Sequence, residues 1–556
     1  MHGLPISHGN PSEQTYLTGL DTAENGQAEK WFFQVFLPEL TLAGYFPKPT
    51  IFGWLGRWRR QKMADFLKSN ALASLLGDLD IPLITRYASP EMVHLFTPQN
   101  RHGIWRRLWL ALAEAEAELG LLADDGKSAR IRPEQLEALR KHLDDIDFAA
   151  VAKHEKRLRH DVMAHLHALG DVCPEVSDIL HLGATSCYVT DNAELILMRE
   201  GLKLLEGKLA SAISALAGFA KTHRDMATLG FTHFQPAQLT TVGKRACLWI
   251  QDLMLDLAEI SHRRAHLPFR GVKGTTGTQA SFLSLFHGDH AKVRALDKLV
   301  AKKMGFDTVF PVTGQTYPRK IDSQILDALS GLGQSTHKWG TDLRLLSHRQ
   351  EVDEPFEKEQ VGSSAMAYKR NPMRAERMCG LARYLMTLPA NAAQTAATQW
   401  LERTLDDSVN RRLSIPQAFL AADAILRIAQ NLAGGLVANP AVIRREVDRY
   451  LPYMATENLL MAAVAAGGDR QEVHEVIRRH SHDVTQALKQ GSLENDLLKR
   501  LEADPAFAKV DIAKVMASGA FTGRAAEQVD EFLAEEVVPA LAPYQGSLGQ
   551  KADLHV

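Results

Sequence analysis

Cysteine is scarce in this chain. Cys173, Cys187, Cys247 and Cys379 are the only four in 556 residues, and no two form a C-x-x-C pair. That spacing excludes a disulfide framework and a zinc ribbon and fits a reducing compartment. No run of about 18 apolar residues is present to span a bilayer, and the first residues lack the charged-then-apolar order of a secretory signal. The protein is therefore expected to be cytoplasmic. Charge of one sign is missing as well: 64 Lys and Arg against 66 Asp and Glu leave a formal charge of -2. Such a chain has no long-range field for nucleic acid or an anionic membrane, so neither is an expected partner. An anionic ligand has to be met by local Arg and Lys clusters. Nucleotide-fold signatures are absent too, since Gly271-Val272-Lys273-Gly274-Thr275-Thr276-Gly277 lacks the Gly-Lys-Ser/Thr ending of a phosphate loop.

What is present is long helical periodicity. Leu195, Met198, Leu202, Leu205, Leu209, Ala212, Leu216 and Phe219 recur in steps of three and four. The same spacing returns from Val242 to Ile260, from Ile321 to Leu346 and from Leu413 to Val437. Helices of roughly 25 residues or more, each near 40 Å long, predict an all-α elongated bundle. Shorter helical segments are expected at Ile104 to Leu119, ended by Gly120, and at Pro133 to His142. The expected organisation is an N-terminal extension over 1–80, an N-terminal helical domain over 81–185, the central bundle over 186–438 and a C-terminal helical domain over 439–556. The extension mixes a polar start with aromatics broken by Pro38, Pro47 and Pro49. Limited order, an appended partner-binding segment and a misassigned start are all open for it.

Between the helices lie segments whose composition suits chemistry rather than core. Arg159-His160-Asp161 sets a cation, an imidazole and a carboxylate in succession, which suits anion binding with proton traffic, or else a solvated helix face. His160, His165 and His167 are close in sequence, but steps of five and two scatter their rings around a helix, so no metal site is expected. Thr185 and Ser186 precede a helix-start signal at Asp191 with Glu194 three residues on. They suit a carboxylate, helix capping, or both. His233 lies between two aromatics in a Gly/Thr/Pro-rich turn, where a histidine is more often structural than catalytic. Gln315 offers an amide. Arg403, Ser408, Arg411 and Arg412 offer phosphate contacts, as do Arg370, Arg374 and Arg377, unless these arginines are surface ion-pair partners.

The densest segment runs from Gly362 to Pro372, where Gly362-Ser363-Ser364 is followed by Lys369-Arg370-Asn371-Pro372. Its Gly-Ser-x-x-Met-x-x-Lys-x-Asn spacing resembles the signature of the fumarase/aspartase superfamily. The fuller string GSSAMAYKRNPMRAER resembles the adenylosuccinate lyase branch. Arg86-Tyr87-Ala88-Ser89-Pro90, RLRHDVMAH ending at His165, the Thr228–Gln238 segment, Thr313–Tyr317, Arg403–Ser408 and Phe521-Thr522-Gly523-Arg524 extend the likeness from Arg86 to the C-terminus. One position departs: Ala367 stands where that branch usually has proline, which implies a looser loop and bears on rate rather than reaction class.

The resemblance implies elimination of fumarate from succinylated purine nucleotides, without cofactor or metal, by a homotetramer with shared sites. It implies that Ser363, as alkoxide, removes the proton beside a carboxylate and that His233 protonates the departing nitrogen. It further implies that His160 assists and that Lys369 supports the developing charge. Lys369 and Asn371 are then expected on the carboxylates with Thr185, Ser186 and Thr232 nearby. Arg86, Tyr87, Arg159, Arg403, Ser408 and Arg412 are expected at the phosphate and Gln315 at the base, while Asp161 and Arg377 complete the set. The choice of Ser363 over Ser364 rests on the resemblance alone. Competing readings are another fumarate-releasing lyase, for argininosuccinate or aspartate, and a helical scaffold without turnover.

Overall fold

The structure, a computed structural model, describes residues 80–517, 520–549 and 554. The expectation for 1–80 therefore lies outside the described residues, save for the last of them. After a short helix at Pro90–Leu95 come α1 (Pro98–Glu118), α2 (Pro133–Lys141), α3 (Phe148–Leu158) and α4 (Asp161–Val172). Five longer ones follow: α5 (Ser186–Thr222), α6 (Val242–Ala265), α7 (Lys320–His348), α8 (Met373–Ala397) and α9 (Asp407–Ala433). These five pack in sequence, and α9 returns against α5, which closes the bundle. Among the described residues no helix is long and apolar enough to cross a membrane.

The periodic leucines explain why these helices form a bundle. Leu195, Leu202, Leu205, Leu209 and Leu216 of α5 are fully buried, and each such side chain contributes about 1.5–3 kcal/mol by leaving water. Gly201 lets α5 approach α9, because a Cβ there would stand 2.6 Å from the Phe419 ring. Trp249 of α6 lies 6.2 Å from Trp339 of α7, and its indole N–H donates to Asp342 at 2.8 Å.

The helix bounds differ from the pattern read in sequence. Helix α5 begins at Ser186 rather than at Asp191, and α9 begins at Asp407 rather than around Leu413. In both cases the first turns are polar because they carry buried ion pairs and site residues. Helix α8 escapes the pattern altogether and runs through an internal proline, Pro389.

Two small sheets interrupt the all-α plan. Strands β1 (Ala227–Thr232) and β2 (Gln235–Thr241) form an antiparallel hairpin between α5 and α6. Strands β3 (Val352–Asp353) and β4 (Val437–Ala438) pair at the same end of the bundle. Beyond them, α10 (Pro440–Met454), α11 (Thr456–Ala465) and α12 (Arg470–Lys489) begin the C-terminal part. There a separate apolar cluster gathers Leu459, Val473, Leu497, Leu501 and Phe507.

The alternating directions decide where loops fall. Helices α5, α7 and α9 begin at one end of the bundle, termed the first end, while the hairpin and the 354–372 loop emerge at the second. Helix α7, at 29 residues, separates the two ends by about 43 Å.

Candidate active site

At the first end, the N-termini of α5 and α9 and the segment before α7 meet the turn between α3 and α4 around an open cleft of about 1190 Å³. Arg159, His160, Asp161, Thr185, Ser186, Gln315, Arg403, Ser408 and Arg412 all line it. Arg159 caps α3 in the left-handed conformation at φ 56°, which turns the chain sharply and presents His160 and Asp161 to the cleft. The His160 imidazole Nε2 is 3.3 Å from the Ser186 hydroxyl, and Arg412 donates to Asp161 at 2.9 Å. Thr185 occupies the N-cap position of α5, yet its side chain makes no capping bond. The capping alternative thus fails for Thr185, and its hydroxyl and the helix N-terminus together suit an anionic group. Gln315 takes a hydrogen bond from the Cys187 thiol at 3.6 Å through its carbonyl oxygen, so its amide N–H groups remain for a ligand.

Under the cleft lies an ionic network that sequence reading missed. Arg319 makes a bidentate pair with Asp191 at 3.0 and 3.1 Å and donates through Nε to Asp407 at 2.6 Å. Arg403 meets both Asp407 oxygens through Nη1 alone, at 3.0 Å each. Arg411 donates to Asp322 at 2.6 Å, and the Tyr317 hydroxyl donates to the same carboxylate at 2.6 Å. Burial would raise the Asp191 carboxyl, but the Arg319 and Arg411 guanidiniums outweigh it and hold it below its ordinary value.

The network corrects two expectations, and the 354–372 loop a third. Asp191 is not a helix start but a buried residue inside α5, committed to Arg319. Arg411 is not a phosphate contact, because its guanidinium is sealed between Asp322 and Tyr317. Arg374 is likewise buried, bonded to the Pro355 carbonyl at 2.8 Å and paired with Glu357.

The three clustered histidines diverge as their spacing predicts. His165 lies tilted against His102 with ring centres 4.0 Å apart beside Trp105, His167 stacks on His154 at 5.4 Å, and His160 faces Ser186. Burial pushes His165 down to about 4 and His102 to about 3, so both are neutral near neutral pH.

The remaining candidates lie elsewhere. His233 and Phe234 form the two-residue tip of the β1–β2 hairpin, with φ of 52° and 57°. Both angles are positive, as in a type I′ turn, where Asn-Gly is the usual pair. Thr232 and His233 are exposed. On the 354–372 loop, the Ser363 hydroxyl oxygen accepts from the backbone N–H groups of Met366 at 3.1 Å and Ala365 at 3.4 Å. Asn371 Nδ2 ties the loop shut by donating to the Gly362 carbonyl at 2.9 Å. Glycine is required at 362, since a Cβ there would stand 2.1 Å from the Lys369 carbonyl oxygen. Lys369 is exposed, and Arg377 is half-buried in the first turns of α8. Arg86 and Tyr87 form a third group: Arg427 near the far end of α9 holds the Tyr87 carbonyl at 2.6 Å.

One chain therefore assembles the phosphate- and base-contact candidates other than Arg86 and Tyr87 at the first end, together with His160, Thr185 and Ser186, but leaves Thr232, His233, Ser363, Lys369, Asn371 and Arg377 at the second. The 29 residues of α7 stand between them.

Residues 85–386 match the family model described as lyase, and 452–532 match that described as adenylosuccinate lyase C-terminus. The chain is 51% identical to the adenylosuccinate lyase of Schizosaccharomyces pombe, over 86% of this chain and 99% of that one. It is also 51% identical to that of Saccharomyces cerevisiae, over 84% and 97%. Among solved structures, a fumarate lyase from Mesorhizobium sp. BNC1 superposes with a TM-score of 0.69 at 21% identity, covering 81% of this chain and 99% of that one. The 3-carboxy-cis,cis-muconate lactonizing enzyme of Pseudomonas putida gives 0.68 at 22%, covering 84% and 99%. These two establish the fold alone.

Proposed function

The chain belongs to the adenylosuccinate lyases of the fumarase/aspartase superfamily, a fumarate-releasing carbon–nitrogen lyase, and on that footing we propose how its two groups of residues divide the reaction. It eliminates fumarate from adenylosuccinate to leave AMP, and from the succinyl-aminoimidazole-carboxamide ribotide to leave the corresponding carboxamide ribotide. Ser363 removes the proton next to a carboxylate of the succinyl group, and the electron pair spreads into that carboxylate. As the C–N bond breaks, His233 gives the departing nitrogen its proton, so that no nitrogen anion has to leave.

The observation that carries this reading is the pair of N–H groups on the Ser363 oxygen. A hydroxyl is a weak base, and two backbone dipoles aimed at its oxygen favour the alkoxide form and thereby lower its pKa. Lys369 supplies positive charge for the developing dianion, and Asn371, Thr185, Ser186 and Thr232 meet the carboxylates. At the other end of the substrate Arg159, Arg403, Ser408, Arg412, Arg86 and Tyr87 meet the phosphate and Gln315 the base. His160 assists beside Ser186. The test is direct: purified protein supplied with each succinylated nucleotide should release fumarate, followed by absorbance, and no release from either would contradict the reading.

Since the bundle holds these groups about 43 Å apart, a complete site needs the first end of one copy against the second end of another. We take the assembly to be a homotetramer. An apolar stripe at the cleft edge supports close association of copies: Val409 and Leu413 on one face of α9, with Trp400 and Leu405 before it, are all largely exposed. The four cysteines are free and buried, which suits a cytoplasmic enzyme.

Arg412→Ala is expected to raise KM more than it lowers kcat, because a contact to a non-reacting phosphate is largely uniform binding. The loss should be about 1.5–3 kcal/mol for a charge-assisted bond, read from initial rates against substrate concentration. An unchanged KM removes Arg412 from the site.

A further inference from the structure

The tip that carries His233 is poorly suited to its own conformation. Two adjacent non-glycine residues at positive φ each cost about 1–3 kcal/mol unless the surroundings over-determine them. The tip itself is exposed, so whatever fixes it acts at the base of the hairpin. There the ladder is irregular, with a register shift between Leu229 and Phe231. A bulge of this kind bends a ribbon and re-aims the side chains beyond it. Arg245, in the first turn of α6, reaches back across the shift and donates to the Leu229 carbonyl. Its guanidinium also lies 5.9 Å from the centre of the Phe231 ring, and Arg349, at the end of α7, lies 4.8 Å from it. Arg349 is itself held by Glu351 at 2.8 Å. The hairpin is thus pinned to the ends of two bundle helices two residues before His233, about 6.6 Å along the strand. A small rotation at Phe231 moves the imidazole by a comparable amount.

We propose that Arg245 is a positioning residue for His233: by filling the carbonyl at the bulge and lying against Phe231, it fixes the hairpin so that the strained tip presents its imidazole in one place. The proposal rests on the reading of His233 as the proton donor. It concerns placement and not substrate contact, so its signature is a loss in kcat with KM nearly preserved.

Arg245→Met keeps the aliphatic stem but removes the donor and the cation. It is expected to lower kcat by about 10- to 100-fold, the scale of a misplacement near 1 Å, with KM within about threefold. Arg245→Lys, which retains a donor and a charge over the ring, should recover most of the loss. The decisive measurement is the double variant. If Arg245 acts through His233, adding Arg245→Met to His233→Ala should cost less than about a further twofold, whereas a general structural defect would multiply the two losses. The oligomeric state of each variant is measured alongside, and if Arg245→Met does not fold, the same cycle is run with Arg245→Gln, which keeps a polar side chain but removes the cation. A folded Arg245→Met with near-normal kcat beside an inactive His233→Ala overturns the proposal alone, as do multiplicative losses. A fully active His233→Ala overturns the proton-donor reading and the proposal with it.

Discussion

Ser363→Ala is expected to lower kcat by about 10²- to 10⁴-fold, the usual range for a general base, while binding survives. His233→Ala should do the same from the other side of the broken bond. The serine variant removes the oxygen on which the N–H groups of Ala365 and Met366 converge, so no nearby group inherits the role. Ser364→Ala is the control. Its side chain is exposed and moves no proton in the elimination, and it should be much milder. A dead Ser364→Ala with an active Ser363→Ala would shift the base by one residue and leave the reaction class standing. Normal turnover in both Ser363→Ala and His233→Ala would remove the mechanism.

The second large effect is on stability. Arg319 is 1% exposed and neutralises Asp191 and Asp407, which are 3% and 0% exposed. Arg319→Ala would strand two carboxylates without their common partner. Breaking a buried pair by removing one member costs about 3–5 kcal/mol, because Asp191 loses the guanidinium bonded to it out of reach of water, while Asp407 keeps only Arg403. The variant should therefore melt well below the parent in a thermal scan. Lysine should not restore the loss, since one ammonium cannot reproduce a bidentate pair and a third bond at once. The same residues tie the starts of α5, α7 and α9 together, so activity should fall with the melting temperature. An unchanged melting curve would show that this network contributes little to the fold.

How much of this could be read from the chain depended on the range of the interactions. Helices α5, α6 and α7 were legible because their core positions repeat every three or four residues, a local signal. Their polar first turns were not, because Asp191 is explained only by Arg319, 128 positions away, and Asp407 by the same residue 88 positions back. No local pattern marks such a pair. Asp191 therefore read as a helix start, and Arg411 as a phosphate contact, although Asp322 and Tyr317 enclose it. The hairpin was missed for a different reason. Its turn is His233-Phe234 instead of Asn-Gly, and its second strand, burying little, lacks clean alternation. The signature loop was legible as a non-core segment from Gly362, Ser363 and Asn371. That Asn371 closes the loop onto Gly362, and that Ser363 lies under two N–H groups, needed coordinates. Nine of the expected contacts fell into one cleft, and the catalytic pair fell at the opposite end of the bundle. That separation follows from alternating helix directions, and a sequence motif carries no information about it.

The claim that a working site is assembled from opposite ends of different copies is tested most directly by co-expressing His160→Ala and Ser363→Ala chains. Each variant alone should be nearly inactive. In randomly mixed assemblies about one site in four should draw both intact residues from different chains, so roughly a quarter of parental activity should return. If the mixture stays as inactive as its parents while mixed assemblies are shown to form, the two residues serve one site within a single chain, and assembly from opposite ends is contradicted.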